Sequence, residues 1–479
     1  MPHLVWFRSD LRASDNTALH AACLRSRDGV VAVYLITPEE WRAHDLSPNQ
    51  VDLRLRCVNE LSGTLGKLNI PLLVQRVPKS SEVAKAIVRV AKEHACEAVH
   101  FNKEYEIDER RRDEGVLAAC KSAAIEAHAH TDQSIIEPGE VRTGEGKCYT
   151  VFTPFKKACI ARMKNLGVPA VLPLPKKQPR LNIEPTEVPA SVPGFEPGID
   201  PTHWPAGESH ARVLLERFAA KSIVAYKDRR DIPSDDAGTS RLSPYLAAGA
   251  VSPRQCLHAA LEANASSASP LDTGNEGATT WISEVLWREF YIHIMVGFPR
   301  VCMHRAFQLP TERLRWSEND EHFAAWQAGK TGIPIVDAGM RQLLATGWMH
   351  NRVRMITAMF LTKNLFIDWR RGERHFMLHL VDAFLASNNG GWQWSASTGT
   401  DAAPYFRIFN PVSQSTKFDA DGAYIRRWVP ELAGVVGEAI HEPWTLPALL
   451  RSRLEYPEPI VELSASRVKA IEAFAKLKG

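Results

Sequence analysis

The chain is 479 residues long, 45% hydrophobic and 24% charged, with a formal charge of +3. That length accommodates two to three domains and a sizeable core, and the balance excludes disordered, collagen-like and disulfide-scaffold proteins. There is no apolar run long enough for a membrane helix, no signal-peptide plan at the amino terminus and no CxxC among eight scattered cysteines, so a cytoplasmic protein is expected.

The first 165 residues alternate strand-like and helix-like patterns. His3–Phe7 is a short apolar run, and Asp15 is placed to cap a helix carrying Leu19, Ala22 and Cys23. Gly29–Ile36 is apolar on both faces, as in a buried parallel strand. Ser47 and Pro48 predict an N-cap followed by proline at the first helical position. Pro71–Val77 reads as the next strand, and Val83, Ile87, Val90 and Ala91 form a helical stripe. Ala98–Asn102 is a further strand, followed by a charged helix from about Asp108. The alternation predicts an α/β domain over residues 1–165, doubly wound around a parallel sheet.

Ten prolines fall between Pro169 and Pro205, which marks residues 166–210 as a linker wrapped over the surface. Beyond Ala211 helical period dominates, as in Ala278–Val296, Ile335–Leu344, His350–Leu365 and His375–Leu385. Residues 211–479 therefore read as a large all-α domain. Eight of the 13 tryptophans lie between Trp281 and Trp394, a density that suits either a core or stacking on planar ligands.

Several motifs are excluded by their residues. No GxGxxG follows the first strand, and Gly139–Lys147 misses the P-loop pattern. His375 and His379 stand at i, i+4 without the glutamate of HExxH, so no metal-ligand set is expected. Gly238–Leu242 lacks the closing glycine of a nucleophile elbow.

Three richer segments remain. Trp281–Tyr291 puts Trp281, Glu284 and Arg288 on one helical face; in isolation this reads as a buried indole beside a surface ion pair. Gly347–Met355 interleaves His350, Asn351, Arg352 and Arg354 with apolar residues, offering guanidinium groups to phosphate or carboxylate. Asn388–Thr400 reads as a loop, in which turn-forming Asn-Gly-Gly precedes Trp392, Trp394 and a run of small residues.

Together with His3–Arg12, Thr239–Gln255 and Asp401–Pro411, these segments resemble the photolyase/cryptochrome family. The resemblance is closest to the class I cyclobutane pyrimidine dimer photolyases of the bacterial folate-antenna branch, and it covers nearly the whole chain. It implies a helical carboxy-terminal domain holding FAD, active as FADH⁻. The excited flavin would pass an electron to a pyrimidine dimer flipped out of DNA, and the electron would return after the ring splits. The implied alternative is a cryptochrome-like blue-light photoreceptor.

Site residues follow from the matching words. Tyr226, Thr239, Ser240, Arg241, Leu242 and Ser243 correspond to the flavin diphosphate cradle. Trp281, Glu284, Arg288, Asn351, Arg354, Asp382 and Phe384 match flavin-contacting positions, with Arg354 and Asp382 expected to pair. Asn388 matches the residue facing flavin N5, where cryptochromes commonly carry aspartate or cysteine. Glu284, Trp287, Met355 and Trp394 would form the lesion pocket. The (6-4) photolyases have a histidine in place of Met355, and methionine cannot supply its proton.

Trp392, Trp369 and Trp316 match the family's electron-relay chain, while Trp326 and Trp348 keep a plain core reading. Arg230, Arg288, Asn351, Arg352, Arg407 and Gln414 would contact DNA, forming a basic groove on a protein of balanced charge. The implied partner is UV-damaged DNA, duplex or single-stranded, bound by a monomer without a membrane. His44, Asp108, Glu109 and Cys302 match the site of a 5,10-methenyltetrahydrofolate antenna. Three residues depart from the family pattern: Asp108 stands for an asparagine, Met303 for a lysine, and Phe384 for the second acid of Asp-Gly-Asp.

Overall fold

The computed structural model describes residues 1–477, which form two compact units. The first comprises Met1–Val224, Ser240–Pro299 and the short segment Val381–Ala386. The second comprises Ala225–Thr239, Arg300–Leu380 and the chain from Ser387 onward.

The first unit is built on a five-stranded parallel sheet in the order β3-β2-β1-β4-β5. The strands are β1 (His3–Phe7), β2 (Val30–Ile36), β3 (Leu72–Arg76), β4 (Ala98–Asn102) and β5 (Glu126–His130). In register, Leu4 lies beside Val31 on one side and Val99 on the other. Starting next to β1 and reversing direction there gives the doubly wound arrangement. β1, β2 and β4 are buried along their whole length, which explains their lack of polar alternation. Helix Val83–Glu93 buries its expected stripe, Val83, Ile87, Val90 and Ala91, against this sheet.

Local signals place several ends correctly. Ser47 caps helix Pro48–Lys67 by accepting from the Asn49 N–H. The cap of helix Thr17–Arg25 is Asn16, one residue later than expected, because Asp15 is committed elsewhere. Its backbone is left-handed, with φ 52°, and its carboxylate accepts from Leu172 N–H, Arg254 and Ser252. Beside it, buried Asp132 accepts from Arg12 at 2.6 Å and from Arg254 at 2.8 Å. Burial alone would raise the Asp132 carboxyl, but the two guanidinium groups hold it well below the usual range. This network ties Ser252–Ala263 to the sheet's loops.

β5 was not anticipated, because its Glu-Ala-His-Ala-His pattern lacks the β-branched residues that mark strands. Its histidines are satisfied sideways instead: His130 hydrogen-bonds His100 at 3.1 Å, and His100 bonds His3 at 3.0 Å. The proline-rich stretch carries no regular structure from Gly167 to Asp200 and is pinned along the unit. Gln178 N–H donates to Leu68, Thr186 N–H to Leu72, and Gly198 N–H to Asn49.

The second unit is helical, with principal helices Pro334–Thr346, Asn351–Met359, Trp369–His379 and Leu463–Ala475. The expected His350–Leu365 helix ends in a π-helical turn, Phe360–Asn364. The expected His375–Leu385 helix is broken: Leu380 is extended, and a new helix runs Leu385–Ala396. That helix also replaces the loop expected from Asn388. Tertiary contacts override Gly390 and Gly391, since Asn389, Trp392 and Gln393 are all buried there.

Candidate functional site

In the first unit, the turn Ser240–Ser243 has the geometry of an anion cradle. Arg241 adopts a left-handed φ of 54° and Leu242 a right-handed helical one, a pairing that turns successive N–H groups inward. The Ser240 hydroxyl accepts from Leu242 N–H at 3.3 Å, and the Arg241 guanidinium lies over Trp204. Helix Glu276–Gly297, capped by Asn275, presents Trp281, Glu284, Trp287 and Arg288. Trp281 is buried, donates to the Cys256 carbonyl at 3.2 Å and packs on Phe218. Trp287 is half-buried, with Phe152 stacked on its ring at 3.7 Å.

Arg288 is not half of a surface ion pair. It donates to the Gln133 carbonyl at 2.6 Å, lies 4.5 Å over the Phe384 ring, and has no carboxylate ion pair among the described residues. Burial pushes its guanidinium down from its ordinary value. Phe384, in place of a second acid, therefore meets a cation through its π face. Its segment is anchored within the same unit by Gln50, which donates to the Ala383 carbonyl at 2.7 Å. Asp382 is buried in this segment.

The second unit carries Tyr226, Arg230, Thr239, Asn351, Arg352, Arg354, Met355, Asn388 and Trp394. Arg230 lies 5.5 Å over the Tyr226 ring. Asn388 donates its amide N–H to the Glu373 main-chain carbonyl at 3.0 Å, and its amide oxygen accepts no hydrogen bond among the described residues. The Glu373 carboxylate accepts from Asn389 at 2.8 Å, so one buried residue steadies both asparagines. Sequence reading missed Glu373, since nothing local links it to Asn388.

His350 caps the helix Asn351–Met359, on which Asn351 lies 3.9 Å from the Met355 sulfur. Arg354 donates to the Met349 carbonyl. Arg352 is engaged by Asp231 at 2.8 Å and by the Phe418 ring at 4.4 Å. Arg407 is exposed and has no ion pair among the described residues; Gln414 is half-buried. Half-buried Trp394 packs against Phe409, whose N–H meets Met359.

The three tryptophans expected to form the relay grade from interior to surface: Trp392 and Trp369 are buried, Trp316 partly exposed. Trp392 lies on Gly372, where any Cβ would overlap its ring, one turn from Trp369. Trp316 packs on Phe366 at 5.0 Å, and Ser317 pairs with Ile367 just before Trp369. Trp326 and Trp348 are buried, and Trp326 meets Trp392 edge-on at 6.0 Å.

Of the four antenna candidates, His44, Asp108 and Glu109 come together in the first unit. His44 Nδ1 is 3.0 Å from Glu109, and Nε2 is 3.7 Å from Asp108. The hydrogen bond to Glu109 raises the imidazole to about 9 against opposing burial. Cys302 is half-buried in the second unit and forms no disulfide among the described residues.

Residues 3–179 match the family model for DNA photolyase, and residues 281–476 that for the FAD binding domain of DNA photolyase. The deoxyribodipyrimidine photo-lyase of Escherichia coli (strain K12) is 46% identical over 473 residues, 98% of each chain. A bacterial class III photolyase from Agrobacterium tumefaciens superposes with a TM-score of 0.85 at 34% identity, covering 100% of this chain and 98% of that one. The cryptochrome of Synechocystis sp. PCC6803 gives 0.88 at 28% identity, covering 99% of each. The chain belongs to the DNA photolyase family. Its cofactor is FAD, and two features of the first unit fit it: the Ser240–Ser243 cradle and the unmatched charge of Arg288.

Proposed function

We infer that this chain splits cyclobutane pyrimidine dimers in DNA under blue light, as a carbon–carbon lyase. Full-length kinship with the Escherichia coli enzyme carries the reading. When bound, reduced FAD supplies the photoexcited electron that opens the cyclobutane ring, with no net oxidation.

The protein's own residues bind and orient. Ser240–Ser243 hold the diphosphate, with Tyr226 and Thr239 assigned to the same group. Arg288 balances its negative charge, and Trp281, Asn351, Arg354, Asp382 and Phe384 are further flavin contacts. Asn388 presents a neutral acceptor to the N5–H, where a carboxylate would repel an anionic flavin. Trp287 and Trp394 are assigned to stacking on the lesion's bases, Glu284 to a hydrogen bond with them and Met355 to an apolar contact. Trp392, Trp369 and Trp316 serve photoreduction of oxidised flavin rather than repair. Arg230, Arg352, Arg407 and Gln414 contact the DNA backbone.

By function the chain divides into an α/β domain (1–165), a linker (166–210) and a helical FAD- and DNA-binding domain (211–479). It acts as a cytoplasmic monomer on duplex or single-stranded DNA. The test is dimer-containing oligonucleotide mixed with chemically reduced protein. Blue light, and not darkness, restores monomeric pyrimidines; no restoration, with light-dependent protein binding instead, would point to a photoreceptor.

A further inference from the structure

Four histidines of the first unit gather across three neighbouring strands: His3 on β1, His100 on β4, and His128 and His130 on β5. Three of them form one hydrogen-bonded line. His3 Nδ1 lies 3.0 Å from His100 Nε2, and His100 Nδ1 lies 3.1 Å from His130 Nε2. At the far end His3 Nε2 lies 3.3 Å from the Glu97 carboxylate. A carboxylate only accepts, so His3 Nε2 carries the proton and its Nδ1 is an acceptor. His100 must then donate from Nε2 and accept at Nδ1, and His130 must donate from Nε2. One tautomer runs through the whole line, from His130 to Glu97.

We propose that this ladder is an acid-sensitive clamp that holds edge strand β5 and, through it, the support of Arg288. An imidazolium has no acceptor nitrogen. A proton added to His100 therefore sets two N–H groups against each other and breaks the line. β5 pairs with β4 alone, so no second strand holds it in place.

The surrounding charges are already committed. Glu97 serves both His3 and the Met1 ammonium, which also meets Asp28. His128 stands between Arg25 of helix Thr17–Arg25 and Glu126 of its own strand. Lys103, just beyond β4, pairs with Glu137, and Asp132 is taken by Arg12 and Arg254. His100 is fully buried, and no carboxylate pairs with it among the described residues. Burial and the neighbouring imidazoles push His100 down, and they hold His130 at about 4. Below pH 6.5 the opened strand takes up protons that the closed ladder refuses. Closure is thus complete above that value and weakens as pH falls.

The chain leaves β5 directly into the segment that supports helix Glu276–Gly297. The Gln133 carbonyl accepts from Arg288 at 2.6 Å, and the Ile135 and Ile136 N–H groups donate to Glu289 at 3.0 and 2.8 Å. Opening of β5 loosens this support and with it the grip of Arg288 on the flavin, a step that rests on the assignment of Arg288 above.

The test uses full-length, FAD-loaded protein at pH 7.5 and pH 5.0. Hydrogen exchange over residues 126–136, corrected for its intrinsic pH dependence, reports opening; fluorescence of released flavin reports loss of cofactor. Each imidazole kept neutral by closure multiplies opening at pH 5.0 by about thirtyfold, and flavin is shed faster in acid. His100→Gln and His130→Gln each keep a hydrogen-bond donor without titrating, and each removes about that factor, whereas His203→Gln changes nothing. Arg288→Gln at pH 7.5, with the ladder closed, tests the flavin contact by itself and releases flavin faster. Acid opening that neither ladder variant reduces, or no acid opening at all, would overturn the clamp. Opening without faster flavin release would overturn its link to the cofactor, and unchanged release from Arg288→Gln would trace that failure to the Arg288 assignment.

Discussion

Asn388 is held by Glu373: its amide N–H donates across 3.0 Å to the Glu373 main-chain carbonyl, and its amide oxygen accepts no hydrogen bond among the described residues. Because the carbonyl belongs to helix Trp369–His379, the side chain is fixed by backbone rather than by another mobile group.

Replacing Asn388 with aspartate removes that donated hydrogen bond and adds a negative charge beside an anionic flavin. A hydrogen bond between neutral groups is worth about 0.5–1.5 kcal/mol and the added carboxylate repels the anionic flavin, so repair per absorbed photon falls roughly tenfold. Reduced flavin also reoxidises faster in the dark. Counting dimers split under calibrated light measures the first effect, and stopped-flow absorbance the second.

Trp316 is the partly exposed end of the tryptophan series. Trp316→Phe keeps the packing on Phe366 but removes the oxidisable indole. Light-driven reduction of oxidised flavin is then lost, while protein reduced chemically repairs at the normal rate. Loss of both activities would remove Trp316 from the relay.

Arg407 is the first candidate for a phosphate contact, since no carboxylate neutralises it among the described residues, whereas Arg352 is already paired with Asp231. Arg407→Ala weakens binding to all DNA sequences alike and lowers the slope of log affinity against log salt by about one unit. Fluorescence anisotropy across a salt series gives the slope directly.

Lys363 predicts a pH dependence of stability. It is fully buried, donates to Ala396 and Ser397, and lies 3.8 Å over the Phe474 ring. Burial lowers its amine from 10.5 to about 7. Between those values the unfolded chain binds a proton that the native state does not, so stability rises with pH from about 7 toward 10.5. Below 7 the buried charge costs the native state its full penalty. Lys363→Met flattens this rise and raises stability at pH 6 by a few kcal/mol. Urea unfolding at pH 6 and pH 9 measures both.

The legible part of the fold was local. β1, β2, β4 and the stripe Val83–Ala91 follow from apolar runs and spacing, because a buried strand or helix face needs those residues whatever its partners. β5 escaped for the converse reason: its His128 and His130 are stabilised by neighbours on other strands. The Asn388 segment is a helix despite two glycines, since burial of Trp392 and Gln393 outweighs propensity.

The sequence by itself determined the α/β-then-helical order, the family and the types of residue available to a flavin and a lesion. Those are properties of composition and of words read along one chain. Only the tertiary structure decided that Glu373 steadies Asn388, that Arg288 meets Phe384, and that His100 joins His3 and His130. Each pairing joins separate segments, and packing, not spacing, selects which side chains meet.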